Sequence, residues 1–437
     1  MKANRKHRLL GAIFALSLVS IIASCSNNQK CECEPCPKDS EQQSQSESSS
    51  EQHGDGYDEG YVDGYVDGHS EGHDEGYEEG KEDGHQEGYE EGYNDGKEDQ
   101  EGERVDYRTI HSNVQLEYLN NIDYSVLPNG INGSSENSKP LPLEFDVQES
   151  PLFNISEITN STLRISEDRN FHNYVEVEGN NGHFEVYNQK INTKYYYYYF
   201  AETSHGTFFS EIKELFVKNE APRLLNIDGV TNARDDGGWK IKGEDKYTKQ
   251  GQLFRMGRLH TSGTKNITTD GIVAFKELGI KTEIDLRNSD DGNTTYQSAV
   301  DGVTYYNYQM YSDQSYFTND ANRAAIKQVL EAMGNANNYP IMFHCNIGTD
   351  RTGFISFIVN ALLGVEERCL YQDYMMSNFG NIGGVRDTAS IVNYISTLKN
   401  NYQGSNDLSV GAENYMLDLG VDASKISAIK QVLLENN

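Results

Sequence analysis

The pattern of hydrophobic and polar positions changes along the 437-residue chain. In the middle of the chain, short stretches alternate apolar and polar side chains between Gly, Asn and Ser turns, namely residues 143–147, 162–165, 174–177 and 183–187. Such alternation predicts an all-β, sandwich-like domain at residues 105–220. From residue 224 onward, strand-like runs alternate with longer helical runs, which predicts an α/β domain at residues 221–437 with a central sheet flanked by helices.

The first 25 residues have the pattern of an export signal. A basic segment at residues 2–8 precedes an apolar run at residues 9–23, which is shorter than a transmembrane span. The run ends in Ile-Ala-Ser-Cys25, which resembles the lipobox of bacterial lipoproteins. This resemblance implies a signal peptide at residues 1–24, lipidation of Cys25 and anchoring at the outer face of the bacterial cytoplasmic membrane. An ordinary secretory signal with an incidental cysteine is the alternative.

Residues 25–104 predict a low-complexity tether. Glycine recurs at every fourth position from Gly56 to Gly96 in the unit G-[YHK]-x-[DE], after a Ser/Gln/Glu-rich stretch. A disordered, solvated spacer is the favoured interpretation, and a paired helix with glycine contacts is the alternative. Cys31, Cys33 and Cys36 lack a fourth ligand and a partner motif, so no metal site is predicted there.

Acidic residues dominate the charge of the chain. The net charge is −31, and residues 51–104 hold 21 Asp and Glu against 3 Lys and Arg, which gives 3 − 21 = −18 in this segment. This balance argues against nucleic acid as a partner. Four of the six cysteines lie at or before residue 36, so they form no disulfide framework for a folded domain.

One ten-residue sequence, H-C-N-I-G-T-D-R-T-G at residues 344–353, combines several chemical signals. An apolar strand-like run precedes it and a helical run follows it, so the loop lies between a strand and a helix N-terminus. Backbone N–H groups of residues 346–351 can converge there on a phosphate group, and Arg351 can add a two-point contact. The same field lowers the pKa of a thiol, so Cys345 is predicted to be a thiolate nucleophile. A buried, inert cysteine is the alternative.

Residues 224–437 resemble the bacterial cysteine-dependent tyrosine phosphatases of the tyrosine/lipid dual-specificity type. The resemblance rests on four motifs in the order of that family: N-A-R-D-D-G-G at 232–238, F-R-M-G-R-L at 254–259, I-D-L-R at 284–287 and H-C-x-x-G-x-D-R-T-G at 344–353. In addition, the hairpin at residues 194–217 resembles the last strands of a fibronectin type III domain.

The family resemblance and the chemistry of the loop assign roles to individual residues. Cys345 would attack phosphorus and form a phosphocysteine, while Arg351 would stabilise the phosphoryl oxygens. The resemblance implies Asp350 as the general acid, with Asp285 and Asp313 as alternatives. Asn346, Ile347, Gly348, Thr349 and Thr352 would contact the phosphate or the sulfur, and His344, Asp285 and Arg234 would support the loop. For Arg234 and Asp235, an ion pair that braces the Gly237–Gly238 turn is expected. No cofactor or metal is implied.

Thr349 leaves the choice of substrate open. Relatives that act on phosphoinositides typically have a lysine at this position, so a protein tyrosine phosphatase acting on phosphotyrosine or another phosphomonoester is favoured. A phosphoinositide or inositol polyphosphate phosphatase is the first alternative. A surface recognition protein that binds phosphate without catalysis is the second.

Overall fold

The computed structural model describes residues 105–435, apart from 149–150, 152, 262–263 and 293–296. The predicted signal peptide, Cys25, the Cys31–Cys36 cluster and the glycine repeat lie outside the described residues. None of the helices within the described part of the chain combines the length and the apolarity needed to cross a membrane.

The first half of the described chain forms two sheets around one core, and their strands pair in the antiparallel sense except for the first and last strands of this half, which pair in parallel. In the larger sheet the strand order is β1-β8-β6-β3-β4, with β7 also paired to β6, and β2 pairs with β5 in the smaller sheet. The strands are β1 Tyr107–Arg108, β2 Leu143–Asp146, β3 Asn160–Ser166, β4 Val175–Glu178, β5 His183–Val186, β6 Thr193–Thr203, β7 Gly206–Phe209 and β8 Lys213–Val217. A separate domain of the fibronectin type III type stays a prediction.

Alternation explains the core between these sheets. Leu163 and Ile165 on β3 are buried together with Phe184 on β5 and Leu215 on β8. In the tyrosine run of β6, Tyr195 and Tyr199 are buried, while the three tyrosines between them are half-buried. The apolar positions with a period of two therefore form the contact between the two sheets.

The region expected to be entirely β contains a helix, α1, at Asn113–Asn120. The Ser112 N–H donates to the side-chain oxygen of Gln115 at 2.8 Å, which satisfies one free N–H group at the helix start. The Gln372 amide donates to the Leu119 carbonyl at 2.7 Å. This segment thus packs against the C-terminal half instead of extending the sheets, because its buried apolar residues, Tyr118 and Leu119, belong to the core of that half.

The C-terminal half contains a five-stranded sheet with the order β14-β13-β15-β10-β9. Four strands are parallel, and β9 pairs with β10 in the antiparallel sense. Their bounds are β9 Arg234–Asp235, β10 Leu253–Met256, β13 Thr282–Asp285, β14 Thr304–Asn307 and β15 Ile341–His344, and a small hairpin joins β11 His260–Thr261 to β12 Thr264–Lys265.

Helices flank this sheet, as the α/β pattern predicts. They are α2 Thr269–Glu277, α3 Asp320–Met333, α4 Asp350–Leu362, α5 Glu367–Met375, α6 Ala389–Asn401, α7 Leu408–Asp418 and α8 Ala423–Leu433. The carboxyl ends of β10, β13 and β15 meet at one edge because these neighbouring strands are parallel. Ligand sites of open α/β sheets lie at this edge.

Candidate active site

The Cys345 loop, residues 345–351, connects the central strand β15 to helix α4. Its cysteine is only 2% exposed. Gly348 has a φ of +72°, and a Cβ there would lie 2.5 Å from the Met256 carbonyl oxygen and 2.8 Å from the Gly257 nitrogen. Only glycine fits, because both the left-handed backbone and the close approach of β10 exclude a side chain.

Side chains behind the loop hold its carbonyl groups. The Asn232 amide donates to the Ile347 carbonyl at 3.2 Å and to the Gly348 carbonyl at 3.0 Å. Arg255 also donates to the Gly348 carbonyl at 2.9 Å. These oxygens are bound from outside, while the N–H groups of Ile347 and Thr352 bond to Cys345, which is consistent with an anion-binding nest.

The surroundings of Cys345 favour its thiolate. Burial raises the pKa of Cys345, but the positive charge of Arg351 and hydrogen bonds from Thr352 and the Ile347 N–H outweigh burial and lower the pKa below its usual range. The thiolate is the nucleophilic form of cysteine. This loop can therefore supply a nucleophile and a phosphate cradle at the same point.

His344 lies behind the loop in a fully buried ion-pair network. Its Nδ1 is 2.9 Å from the Cys345 carbonyl oxygen, and its Nε2 is 2.9 Å from a Glu283 carboxylate oxygen. Burial lowers the pKa of His344, but Asp285 and Glu283 outweigh this and raise it. Both partners are acceptors, so the protonated ring donates from both nitrogens, fixes the backbone at Cys345 and adds positive charge beneath the loop.

Within the described residues, two groups of side chains lie close enough together to hold a metal ion. Glu283, Asp285 and His344 form the buried group, but Arg287 already donates to both carboxylate oxygens of Asp285. An ion-pair network therefore describes this group better than a metal site. The second group is exposed on β2 and β5 and consists of Glu144, His183 and Glu185.

Arg351 is held by a carboxylate that the sequence did not indicate. Its two terminal nitrogens lie 2.5 and 2.9 Å from the oxygens of Asp291, which follows β13, and it also donates to the Met310 carbonyl at 3.1 Å. Burial raises the pKa of Asp291, but Arg351 outweighs burial and lowers it. Asp291 is therefore an ionised partner that orients the Arg351 guanidinium.

The Cys345 pocket has a volume of about 400 Å³, and both Asp350 and Arg386 lie in its wall. Arg386 binds the two Asp350 oxygens at 3.1 and 3.2 Å. The other lining residues are Asp291, Ser312, Gln314, Cys345, Asn346, Ile347 and Arg351. The pocket thus contains two arginines, each paired with a carboxylate, around one thiolate.

The two alternative general acids have different surroundings. Asp285 is buried; burial raises its pKa, but His344 and Arg287 outweigh burial and lower it. Asp313 is exposed and accepts from Ser315 at 2.6 Å, and it does not line the Cys345 pocket. Of these three aspartates, Asp350 is the one whose side chain lines the pocket, although its role as the acid stays a prediction.

The expected ion pair between Arg234 and Asp235 is wrong. Arg234 instead donates to Asp373 on α5 at 2.9 Å, and Asp235 pairs with Arg223 at 2.8 Å. Adjacent residues of β9 point to opposite faces of the sheet, so their side chains meet different partners. Asp235 still accepts from the Gly237 N–H at 2.9 Å and so supports the turn.

Asp373 connects the residues that support the Cys345 loop. It pairs with Arg255 as well as with Arg234, and Arg234 in turn donates to the Asn232 side chain at 2.5 Å. All four side chains are buried or nearly so. A chain of charge-assisted hydrogen bonds thus runs from α5 to the carbonyl groups of the Cys345 loop.

Thr349 is fully buried and does not line the pocket. Its hydroxyl has no partner within the described part of the chain. Thr349 therefore contributes no cation to the pocket. Arg386, from the segment before α6, contributes the second cation of the pocket instead.

Residues 225–435 match the model of the tyrosine phosphatase family. The match covers the five-stranded sheet, the Cys345 loop and helices α2 to α8. All four sequence motifs that resemble the tyrosine phosphatases lie within these residues.

A protein of Cupriavidus necator that is provisionally named a tyrosine-protein phosphatase is 24% identical over an alignment of 183 residues, and the alignment covers 36% of this chain. The chain spans 64% of the length of this curated relative. Among solved structures, the core catalytic domain of the PP-IP phosphatase SIW14 from S. cerevisiae in complex with citrate matches at 19% identity and a TM-score of 0.22, covering 34% of this chain and 88% of that one. A second structure of the Siw14 catalytic core matches with a TM-score of 0.23, 19% identity and coverage of 34% and 87%.

Proposed function

We propose that this protein is a surface-anchored protein tyrosine phosphatase that hydrolyses phosphomonoesters through a phosphocysteine intermediate. One observation carries the proposal: the Cys345 thiol, whose pKa is lowered, lies at the Arg351 guanidinium in a pocket of about 400 Å³. The match of residues 225–435 to the tyrosine phosphatase family supports the same chemistry.

In the first step, the Cys345 thiolate attacks phosphorus and an S–P bond forms while the bond from phosphorus to the leaving oxygen breaks. Asp350 gives its proton to that oxygen. Arg351 and the N–H groups of the Cys345 loop stabilise the negative charge that spreads over the three remaining phosphoryl oxygens. Asp291 keeps the Arg351 fork oriented during this step.

In the second step, a water molecule attacks the phosphorus of the phosphocysteine. The Asp350 carboxylate accepts the proton of this water, the S–P bond breaks, and the electron pair returns to the sulfur. The Thr352 N–H stabilises the departing thiolate, because it contributes to the lowered pKa of Cys345. Inorganic phosphate leaves, and the enzyme returns to its starting state.

The proposed location rests on the first 25 residues. The lipobox-like sequence at Cys25 supports a lipid anchor at the outer face of the cytoplasmic membrane, and the acidic tether supports a catalytic region extended away from the surface. The substrates would then be phosphotyrosine-containing proteins or other phosphomonoesters outside the cytoplasm.

A phosphoinositide or inositol polyphosphate substrate is the second candidate, and Arg386 favours it. This arginine adds a second cation beside Cys345, which a substrate with several phosphates can use. Arg386 is already bound to Asp350, however, so its charge is partly neutralised before a substrate enters.

One assay tests these functions. The full-length protein in detergent is given phosphotyrosine peptides, phosphoserine peptides and phosphoinositides in the presence of EDTA, beside the Cys345→Ser variant. Hydrolysis of the phosphotyrosine peptides by the wild type alone, with phosphate trapped on Cys345 after an acid quench, is the expected result. Cleavage of the lipids alone would favour the second candidate. Equal inactivity of both proteins, with phosphate still bound, would leave a recognition protein without catalysis.

A further inference from the structure

A second cavity also borders the Cys345 loop. It measures about 320 Å³, and Asn346 and Ile347 line both this cavity and the Cys345 pocket. We call it the Arg258 cavity, after the arginine that follows β10. Lys139, from the segment before β2, also lines it, so the N-terminal half of the described chain contributes a side chain to this cavity.

Arg258 has an unusual position for a cation. It is half-buried and donates to the side-chain oxygen of Asn346, and no carboxylate of the described residues forms an ion pair with it. Its Nε is buried and has no acceptor within the same residues. Burial and the nearby charge of Arg287 lower the pKa of Arg258, and the more weakly acting charge of Asp291 raises it. A partly buried cation that has no direct ion-pair partner is costly, and a bound anion would reduce this cost.

Two further charged side chains, Lys139 and Glu136, line the cavity. Lys139 is half-exposed and lies 3.8 Å from Asp228, a distance at which the pair contributes little. The Glu136 carboxylate is occupied by the hydroxyl groups of Thr231 and Ser138. The charged side chains lining the cavity are Lys139, Arg258 and Glu136, so their sum is 2 − 1 = +1, on a chain whose net charge is −31.

The cavity also contains an acceptor that lacks a hydrogen-bond donor. The side-chain oxygen of Asn266 is buried and has no partner within the described part of the chain. A ligand that carries an oxyanion beside an O–H or N–H group would satisfy both Asn266 and Arg258. Apolar ligands would leave both atoms unpaired, which is unfavourable.

We propose that the Arg258 cavity is a second anion subsite, which binds a carboxylate or phosphate group of the substrate while the scissile phosphate lies at Cys345. This inference rests on the proposed function and narrows its substrate class to phosphomonoesters with a second negative charge. Acidic phosphotyrosine peptides and inositol bisphosphates share this chemistry.

The test compares matched substrates on the full-length protein. One arm uses phosphotyrosine peptides with Asp or Asn at each position flanking the phosphotyrosine, and the other uses inositol bisphosphates against inositol monophosphates. We expect the wild type to favour the doubly anionic member of at least one arm by roughly tenfold or more in kcat/KM, the size of one charge-assisted contact. The arm that shows this preference identifies the source of the second charge.

Lys139→Gln and Arg258→Gln should each reduce that preference several-fold, whereas Lys327→Gln on the exposed face of α3 should retain it. Because Arg258 contacts Asn346, the Arg258→Gln variant could reduce the preference by disturbing the Cys345 loop. Lys139→Gln is therefore the decisive variant for the subsite. The subsite is refuted if the active wild type shows no preference in either arm, or if Lys139→Gln leaves the preference intact. Failure of the proposed function is distinct, because the wild type would then cleave no substrate, including para-nitrophenyl phosphate.

Discussion

Asp350 and Arg386 form a two-point ion pair, with nitrogen–oxygen distances of 3.1 and 3.2 Å, in the wall of the Cys345 pocket. Both carboxylate oxygens of Asp350 accept from Arg386 in this contact. A phosphate dianion that enters the pocket competes with Asp350 for Arg386, because it offers the guanidinium another anionic partner. The pair therefore connects substrate entry to the availability of the proposed general acid.

Asp350→Asn should reduce activity in proportion to how much the leaving group needs a proton. With phenyl phosphate, a poor leaving group, we expect kcat to fall by about 10²–10⁴-fold, the usual size of general acid catalysis. With para-nitrophenyl phosphate the fall should be less than about tenfold, because para-nitrophenolate leaves without a proton. Steady-state kinetics at several pH values measure both. Asp313→Asn is the matched control, and an equal fall with both substrates would exclude Asp350 as the acid.

Asp291→Asn should change the kinetics in a different way from Asp350→Asn. The amide cannot hold both terminal nitrogens of Arg351 through charge, so the guanidinium is less well oriented toward the transferred phosphoryl group. We expect kcat to fall by about 10–100-fold to a similar extent for phenyl and para-nitrophenyl phosphate, because the phosphoryl charge is the same for both. The exposed neighbour Asp290→Asn serves as control. A loss confined to phenyl phosphate would instead make Asp291 the proton donor.

The parts of the site that are contiguous in sequence could be predicted. Strand β15, the Cys345 loop and helix α4 lie within residues 341–362, and a strand, a glycine-containing turn and an apolar helix have local signatures. Helix α1 also has one, the spacing of Ser112 and Gln115, but the surrounding β pattern concealed it.

The partners of the loop could not be predicted, because they come from distant segments. Asp291 lies 60 residues from Arg351, and Asp373 lies 139 residues from Arg234. No periodicity relates such positions, and only the packing of strands and helices in the folded chain brings them together. Arg234 and Asp235 are adjacent in sequence, which suggested an ion pair between them. Neighbouring residues on a strand face opposite sides of the sheet, however, so this expectation was misleading.

Gly348→Ala should abolish most activity. The substitution adds left-handed strain of about 1–2 kcal/mol and a clash with the Met256 carbonyl, so the Cys345 loop has to move. We expect kcat to fall at least about 100-fold, as for a misplaced catalytic group, and Tm to decrease. Gly279→Ala separates the two causes, because Gly279 has a similar φ of +69° but open space around it. If both variants were equally active, the close contact with β10 would not be important for the loop.

Glu283→Gln should destabilise the protein more at pH 6 than at pH 9. The pKa of His344 is raised in the folded state above its ordinary value of 6.5, in part by Glu283. A histidine whose pKa is higher in the folded state stabilises that state. This stabilisation is complete at pH values below the pKa of the unfolded state, and it is lost as the pH rises through the pKa of the folded state. At pH 6 the variant should therefore lose about 1–3 kcal/mol of unfolding free energy.

At pH 9 the difference from the wild type should be smaller, because His344 is closer to neutral in both proteins and Glu283 no longer has a cation to bind at Nε2. Urea unfolding at the two pH values measures this, with the exposed Glu117→Gln on α1 as the matched control. Since His344 fixes the backbone of Cys345, alkylation of the thiol by iodoacetate at pH 6 should also slow in Glu283→Gln. A loss of stability that is equal at both pH values would show that Glu283 acts through its hydrogen bond alone, without the charge of the imidazolium.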